Sequence, residues 1–248
     1  MYAITGITGK VGGQTAHTLL AGGKKVRAVL RDARKGESWE RSGCSVAIAE
    51  MNDAKALTAA FKGATGVFIL LPPIFDPSPG FPEARATIAA LRSALEAARP
   101  AKVVCLSTIG AQASQENLLS QLGLMEQPLE KSLPMVATAD VGRVAAELLQ
   151  ENWSGHRVVE LQGPTRIAPN DIAATFTDLL GRLVKVQAVP RDTWETLFRS
   201  QGMTNPLPRM QMLDGFNQGW LEFEYGEADS RKGRVTLKEV LSALIDGT

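Results

Sequence analysis

Short apolar runs alternate with segments of helical spacing through the first hundred residues. Strands are predicted at Tyr2–Ile4, Val26–Leu30, 46–49, 67–71 and 103–106. The spacing between them predicts helices over 11–21 and 53–61 and a third that begins at Pro82, a favourable first helical residue. Strands that keep alternating with helices predict an α/β fold, a doubly wound parallel sheet with helices on both faces.

After residue 110 the elements become less regular. The pattern predicts helices over 115–126, 140–150, 170–180, from Asp192 and over 237–245, and strands at 158–161 and 184–189. The stretch 203–226 is predicted to be irregular, although Leu213, Phe216 and Trp220 recur at helical spacing. Thr236 and Glu239 form the capping-box pattern that opens the last helix.

Three glycines stand between the first strand and the first helix with the spacing G-x-x-G-x-x-G. Backbone N–H groups at a helix N-terminus approach a pyrophosphate only where side chains are small. Gly6 allows the tight turn, Gly9 the close approach and Gly12 the contact between helix and strand. Thr8 adds a hydroxyl and Lys10 a positive charge. In this context the motif predicts a Rossmann-type NAD(P) site; glycines that serve turn geometry alone are the alternative.

Basic residues follow the second strand. Arg31 takes the position facing the adenosine ribose, where an acid accepts the 2′-hydroxyl of NAD and an arginine accommodates the 2′-phosphate of NADP. Arg34 and Lys35 add positive charge, whereas Asp32 favours NAD. We predict that NADP(H) is preferred over NAD(H), with a solvated charge cluster as the alternative.

The segments after strands three, four and five are expected to border the same crevice, since ligands lie beyond the carboxyl ends of such strands. Met51 and Asn52 are predicted at the adenine, although Met51 fits a core position equally well. The fourth strand ends in residues predicted on the nicotinamide side: Leu71, Pro72 and Pro73.

A proline-rich stretch follows, with five prolines from Pro72 to Pro82. Its Phe75 and Phe81 either wall the nicotinamide pocket or anchor a rigid connector. Ser107 and Thr108 end the fifth strand, where a hydroxyl can bind the nicotinamide ribose or a substrate carbonyl. Serine and threonine are common at strand ends, so both are weak catalytic candidates.

The sequence lacks the proton relay Tyr-x-x-x-Lys of short-chain reductases, because neither Tyr2 nor Tyr225 has a lysine four residues later. No Ser/His/Asp or Cys/His set can be assembled, and the catalytic residues stay unknown. Two cysteines and two histidines, all far apart, predict neither a metal site nor a disulfide. Quinone-like acceptors fit a sequence without a recognisable proton donor, since their reduction demands less acid catalysis than carbonyl reduction.

Charge and hydropathy exclude several partners. Lys and Arg number 27 against 26 Asp and Glu, which argues against a nucleic-acid footprint. No run of about 18 apolar residues occurs, so neither a signal peptide nor a membrane span is predicted. We expect a cytoplasmic protein that acts on a small molecule.

The sequence resembles the NmrA-like, atypical short-chain dehydrogenase/reductase family, and within it the NAD(P)H:quinone oxidoreductase type 2 branch. The resemblance is carried by the runs AITGITGKVG at 3–12, VRAVLR at 26–31, MND at 51–53, VATADVG at 136–142 and LQG at 161–163. It implies that NADP(H) is bound through the glycine turn and Arg31. It also implies that Pro72, Pro73 and Ser107 line the nicotinamide side. The turn residues that the resemblance implies in cofactor binding are Gly6, Thr8, Gly9, Lys10, Val11 and Gly12.

The chain departs from that family near 127–128, where helix 115–126 is followed by Pro128 with no further strand between. A strand and its crossover need about 30 residues, so we expect the sixth strand and much of the substrate wall to be missing. The expected domains are 1–155, an NAD(P)-binding Rossmann domain shortened at this point, and 156–248, a small C-terminal α/β lobe. An uncovered strand edge calls for a partner or a rearrangement, which leaves a homodimer open.

Two functions are therefore considered. The first is an NADPH-dependent oxidoreductase of quinone-like or small apolar acceptors. It is supported by the glycine turn and by apolar residues of the C-terminal lobe: Trp194, Phe198, Met210, Met212, Phe216 and Trp220. The alternative is a non-catalytic NAD(P)-sensing regulator that binds a protein partner, supported by the missing relay and the missing substrate wall.

Overall fold

The structure is a computed structural model that describes residues 1–110, 113, 117–118 and 132–247. Its contacts group these residues into two compact units whose segments interleave along the chain. Unit one comprises Met1–Pro72, Ser78–Ser107 and Thr138–His156; unit two comprises Pro73–Pro77, Thr108–Ala137 and Arg157–Thr248. The division at 155–156 stays a prediction. Most of the predicted helix 115–126, and the junction at 127–128, lie outside the described residues.

Unit one is built on a sheet of five parallel strands in the order β3-β2-β1-β4-β5. The strands are β1 (Tyr2–Ile4), β2 (Val26–Leu30), β3 (Ser45–Ile48), β4 (Gly66–Ile69) and β5 (Lys102–Cys105). The predicted strands are all present, with bounds that differ by at most two residues. The predicted α/β fold is confirmed.

Helices cover both faces of this sheet. They are α1 (Lys10–Ala21), α2 (Gly36–Arg41), α3 (Ala54–Phe61), α4 (Pro82–Ala98) and α5 (Thr138–Gln150). Successive strand residues point to opposite faces, so Ile4 and Phe68 join one core cluster while Ala3 and Val67 join the other. Strand β4 is buried along its whole length, which explains why it is a continuous apolar run rather than an alternating one.

Helix α2 is the element of unit one that sequence patterning misses. It is six residues long and carries one large apolar side chain, Trp39. Contacts from outside the helix hold it: the Trp39 ring lies 5.0 Å from that of His17, and Gly36 packs on Val46. Such tertiary contacts stabilise a helix in a segment whose own helix propensity is weak.

The contact between α1 and α5 depends on Gly142. A β-carbon at this position would lie 2.5 Å from the Gln14 β-carbon and 2.9 Å from the Val11 carbonyl oxygen. Gly142 therefore lets α5 approach the first turns of α1, directly behind the glycine turn.

We expect Gly142→Ala to lower the free energy of unfolding by about 1–3 kcal/mol, because the added methyl overpacks this contact. Helix propensity alone predicts the opposite sign, a gain of about 1 kcal/mol. Gly22→Ala is the matched control, since a β-carbon there lies no closer than 3.5 Å to its neighbours. Chemical denaturation measures the change in the free energy of unfolding. An unfolding midpoint for Gly142→Ala at or above that of the unaltered protein would refute the steric argument.

Unit two contains the helices α6 (Pro169–Leu180), α7 (Trp194–Ser200), α8 (Leu207–Gln218) and α9 (Leu237–Ile245). Two short parallel strands, β6 (Leu161–Gln162) and β7 (Arg231–Lys232), pair beside them. Helix α9 begins as predicted, with the Glu239 carboxylate accepting the Thr236 N–H at 2.7 Å.

Three sequence predictions for unit two need correction. Residues 184–189 form no strand: the Val184 N–H donates to the Thr177 hydroxyl at 2.9 Å, a side-chain partner in place of a strand. The strand predicted at 158–161 is confined to Leu161–Gln162. The stretch 203–226 is not irregular throughout, because it contains α8, whose prolines lie at the N-terminus where a missing N–H is tolerated.

The apolar residues of the C-terminal segment form the core of unit two. Trp194, Phe198, Met212 and Phe216 are all buried in one cluster, with Met210 and Trp220 packed against it. They hold the unit together and do not form an open acceptor surface. In the part of the chain that the structure describes, no helix combines the length and apolar character needed to cross a membrane.

Candidate functional site

The strand order defines where a ligand is expected. From β1 the chain builds outward through β2 to β3, and then returns to place β4 and β5 on the other side. The order therefore reverses between β1 and β4, and a crevice forms outside the carboxyl ends of strands at such a switch point. The turn with Gly6, Gly9 and Gly12 follows β1 at this place.

Thr5 fastens the turn to the neighbouring strand. Its hydroxyl, fully buried, donates to the Phe68 carbonyl at 3.1 Å and accepts the Leu70 N–H at 3.0 Å. The Leu70 side chain fills the space that a β-carbon on Gly6 would need, and Gly6 has a φ of +61°. Thr5 has no role in the predicted glycine motif; a polar residue at the end of a buried apolar strand is the sequence signal that points to it.

The N-terminus of α1 is open. The helix begins after Gly9 without a side-chain cap, and its first turn contains no acidic residue. By contrast, α3 is capped by the Asp53 carboxylate. Thr8, Gly9 and Lys10 are exposed, and the uncapped N–H groups together with the helix dipole favour an anion.

Gly9 and Gly12 differ in their surroundings. A β-carbon on Gly9 would have one protein neighbour, the Gly6 carbonyl oxygen at 3.3 Å. A β-carbon on Gly12 would collide with that same oxygen and lie 2.6 Å from the Gly6 carbonyl carbon. Gly12 is thus required by the turn itself, whereas a side chain at position 9 would meet little of the protein.

The basic segment after β2 contains one internal ion pair. The Asp32 carboxylate accepts from Arg34 Nε at 3.0 Å and Nη2 at 3.1 Å. These bonds, with the Arg34 N–H, lower the pKa of Asp32. Arg31 and Lys35 are exposed, and among the described residues neither forms an ion pair. Asp32, the residue that favours NAD, is therefore paired with Arg34. The side chains of Arg31 and Lys35 stay available to bind an anion.

The other predicted residues follow the same sheet edge. Asn52 is exposed after β3, and Met51 packs against the core of unit one, so its place at the adenine stays a prediction. Leu71 is half-buried and Pro72 exposed after β4, and Ser107 is exposed after β5. Parallel strands bring these segments to one edge, the edge of the glycine turn.

Two predicted residues belong to unit two instead, namely Pro73 and Thr108. Their roles at the nicotinamide and in catalysis stay predictions. Tyr225, also in unit two, is exposed, and the Glu224 carboxylate raises the pKa of its phenol. A raised pKa makes this tyrosine a poorer proton donor at neutral pH. The described residues contain no group of three or more His, Cys, Asp or Glu that could hold a metal ion.

An open helix N-terminus behind a glycine turn, at the switch point of a parallel sheet, defines a dinucleotide-binding protein. In agreement with this, residues 6–133 match the NAD(P)H-binding family, which is over half of the chain. The chain belongs to this family, and NAD(P)H is its cofactor.

Solved structures of similar fold include the Escherichia coli NADPH-dependent quinone oxidoreductase QOR2 complexed with NADPH. It has a TM-score of 0.79 and 21% identity, over 99% of this chain and 100% of that one. The Citrobacter sp. triphenylmethane reductase complexed with NADP(H) has a TM-score of 0.77 and 16% identity, over 98% and 99% of the two chains. The predicted resemblance to the NmrA-like reductases is confirmed at the level of the fold.

A curated relative points the same way. The NAD(P)H azoreductase of Xenophilus azovorans is 22% identical, covering 84% of this chain and 83% of that protein. None of these three proteins favours the regulatory alternative.

Proposed function

We propose that the protein is an NADPH-dependent oxidoreductase that reduces quinone-like or other small aromatic acceptors. The observation that carries the proposal is the open, uncapped N-terminus of α1 behind the glycine turn. The printed names of the relatives support the acceptor class: a quinone oxidoreductase, a triphenylmethane reductase and an azoreductase.

The cofactor is held by backbone and side chains of one sheet edge. N–H groups of the first turn of α1 bind the pyrophosphate, and Lys10 adds a positive charge beside it. Asn52, with Met51, borders the adenine. The nicotinamide side is formed by Leu71, Pro72, Pro73 and Ser107.

NADPH supplies the hydride when it is bound. One NADPH, one proton and one quinone give NADP⁺ and one hydroquinone. The protein orients the two reactants, and the hydroxyls of Ser107 and Thr108 donate hydrogen bonds to an acceptor oxygen. A quinone oxygen needs little further acid catalysis, which fits a sequence without Tyr-x-x-x-Lys.

Preference for NADPH over NADH follows from the charges after β2. Arg31 and Lys35 offer cations to the 2′-phosphate, and Arg34 compensates the carboxylate of Asp32. The 2′-phosphate therefore meets net positive charge.

Arg31→Ala is expected to weaken NADPH binding about 10-fold or more, since a charge-assisted hydrogen bond contributes about 1.5–3 kcal/mol. NADH binding should change far less, because NADH lacks the 2′-phosphate. Lys24→Ala is the control; it removes a positive charge at the opposite end of β2. Fluorescence titration measures the Kd for NADPH and for NADH in each variant, and the ratio of the two gives the cofactor preference. Equal weakening of NADPH and NADH would show that Arg31 does not read the 2′-phosphate.

Steady-state NADPH oxidation tests the proposed activity. Benzoquinone, naphthoquinone and an aromatic azo compound should each be reduced, and a simple aliphatic ketone should not. Intact NADPH binding without turnover on any of these acceptors would reject the oxidoreductase proposal.

A further inference from the structure

Helix α2 links the basic segment after β2 to helix α1. It begins at Gly36, directly after Arg34 and Lys35, and it ends at Arg41. A helix of six residues is not stable by itself in water. The position of α2, and of the cations that precede it, therefore depends on what this helix packs against.

Trp39 of α2 packs along one side of α1. A β-carbon on Gly13 would lie 3.8 Å from the Cη2 and Cζ2 atoms of the Trp39 ring. One turn further along α1, the centroid of the His17 ring lies 5.0 Å from that of Trp39. Gly13 is itself one turn after Gly9, whose carbonyl accepts the Gly13 N–H at 2.9 Å. Trp39 therefore holds α2 against the turn of α1 that follows the proposed pyrophosphate site.

The backbone of Lys35 is tied to the end of β2 on one side and to α2 on the other. Its N–H donates to the Asp32 carbonyl at 3.0 Å, and its own carbonyl accepts the Ser38 hydroxyl at 3.1 Å. The next residue, Gly36, is buried, and a β-carbon there would lie 3.2 Å from a Val46 methyl group. The Lys35 side chain is exposed. The packing of α2 therefore determines where the Lys35 side chain starts from.

Arg31 is held differently. It follows Leu30, whose carbonyl accepts the Ala49 N–H at 3.0 Å, and Leu30 is aligned with Ile48 in the pairing of β2 with β3. The sheet therefore fixes the backbone at Arg31 without help from α2. The two cations proposed at the 2′-phosphate thus differ in their support, because Arg31 depends on the sheet and Lys35 on the packing of α2.

We propose that Trp39 is a positioning residue for NADPH, which holds the Lys35 ammonium at the 2′-phosphate by packing α2 on α1. Trp39 acts through Lys35 and not through Arg31. The inference rests on the proposed preference for NADPH and adds the residue that keeps one of its two cations in place. Every residue in it belongs to unit one.

Calorimetric titration with NADPH and with NADH tests the proposal, because only NADPH carries the 2′-phosphate. Trp39→Ala should weaken NADPH binding about 3- to 10-fold, the range for one exposed cation on a phosphate, and NADH binding less than about 2-fold. Lys35→Ala should give the same pattern. Trp39→Phe keeps an aromatic ring at this position and should restore the NADPH affinity. If Trp39→Ala does not fold, Trp39→Leu is measured in its place.

Two combined variants separate positioning from a merely structural role. In the Lys35→Ala protein, Trp39→Ala should not raise the Kd for NADPH further, because no ammonium is left to position. In the Arg31→Ala protein, Trp39→Ala should raise that Kd by its full factor, because Lys35 is still present. Trp39→Ala that weakens NADPH binding further in the Lys35→Ala protein, or that weakens NADPH and NADH binding equally, would overturn the proposal.

Trp153→Ala is the matched control for the loss of an indole ring. Trp153 is also partly buried in unit one, and its ring N–H donates to the Leu148 carbonyl at 3.1 Å. The nearby Glu151 carbonyl accepts from the ammonium of Lys102, the first residue of β5, so this segment lies toward the amino ends of the strands, opposite the glycine turn. Trp153→Ala is expected to lower Tm and to leave the ratio of the two Kd values unchanged. An equal change of that ratio in Trp153→Ala and Trp39→Ala would show a general loss of stability and overturn the proposal.

Failure of the proposed function gives a different result. If the unaltered protein binds NADPH and NADH with equal affinity, the proposed cofactor preference and the role of Trp39 both fall. If it prefers NADPH and Trp39→Ala keeps that preference, the role of Trp39 falls and the preference stands. A protein that reduces no acceptor, but loses preference for NADPH in Trp39→Ala, rejects the proposed activity and supports the role of Trp39.

Discussion

Gly9→Asp is expected to abolish NADPH binding while leaving the protein folded. Position 9 tolerates a side chain, since its φ is −94° and a β-carbon would meet one protein atom at 3.3 Å. An aspartate at the N-cap also accepts hydrogen bonds from the free N–H groups of α1, which relative to glycine stabilises a helix by about a few tenths of a kcal/mol. The same carboxylate takes the place of the pyrophosphate and repels it.

The effects of Gly9→Asp on thermal stability and on NADPH affinity should therefore have opposite signs. Thermal unfolding is expected at or above the temperature of the unaltered protein, and the Kd for NADPH should rise by more than about 100-fold through lost N–H contacts and added repulsion. Gly22→Asp is the matched control, because it puts the same charge at the other end of α1. That control should keep NADPH affinity. NADPH binding retained in Gly9→Asp would show that the cofactor does not use this helix N-terminus.

Gly12→Val is expected to disrupt the turn and destabilise the protein, rather than to block cofactor binding in a folded protein. The β-carbon would overlap the Gly6 carbonyl oxygen and lie 2.9 Å from the Ile7 nitrogen. These are backbone atoms, so no side-chain rotation relieves the clash and α1 must move away from β1. We expect a loss of at least about 3 kcal/mol, the upper end of ordinary overpacking, and a fall in Tm of about 6 °C or more.

The neighbouring Gly13→Ala is the control for Gly12→Val. A β-carbon there lies 3.2 Å from the Ile7 carbonyl oxygen and otherwise makes ordinary contacts, so the effect should be small. Calorimetric melting compares the variants. A Gly12→Val protein that melts with the unaltered one would contradict the described geometry of the turn.

Unit one could be predicted from sequence because local pattern and tertiary environment agree there. Strands such as β4 are buried on both faces, which forces a continuous apolar run that is easily recognised. Helix α2 could not be predicted, since Trp39 gains its packing from His17, a residue of another helix. The α9 capping box was predictable because Thr236 and Glu239 are three residues apart.

Unit two was harder because its contacts are long-range. The hydrogen bonds that Asp76 accepts from Thr204 and Asn205 join residues 128 and 129 positions apart, so no window of sequence reveals that Pro73–Pro77 belongs with the second half of the chain. The segment 184–189 (VKVQAV) has the valine-rich composition of a strand, but its Val184 N–H donates to the Thr177 side chain. Composition cannot distinguish these two outcomes.

In the candidate site, too, the features set by local sequence could be predicted and those set by three-dimensional geometry could not. Glycine spacing predicts which residues form the turn, because only glycine permits the close approaches that Gly6 and Gly12 make. The hydroxyl bridge of Thr5 and the Arg34 bond that occupies Asp32 depend on geometry, and the sequence alone left the charge of that segment ambiguous.

The central claim is that NADPH held at the N-terminus of α1 passes its hydride to an aromatic acceptor. Anaerobic mixing of the protein with equimolar NADPH and naphthoquinone, followed by nicotinamide absorbance, tests it most directly. NADPH and naphthoquinone should disappear together, one for one, and Gly9→Asp should show no loss beyond the uncatalysed rate. Unchanged absorbance in a protein that demonstrably binds NADPH and naphthoquinone would contradict the account.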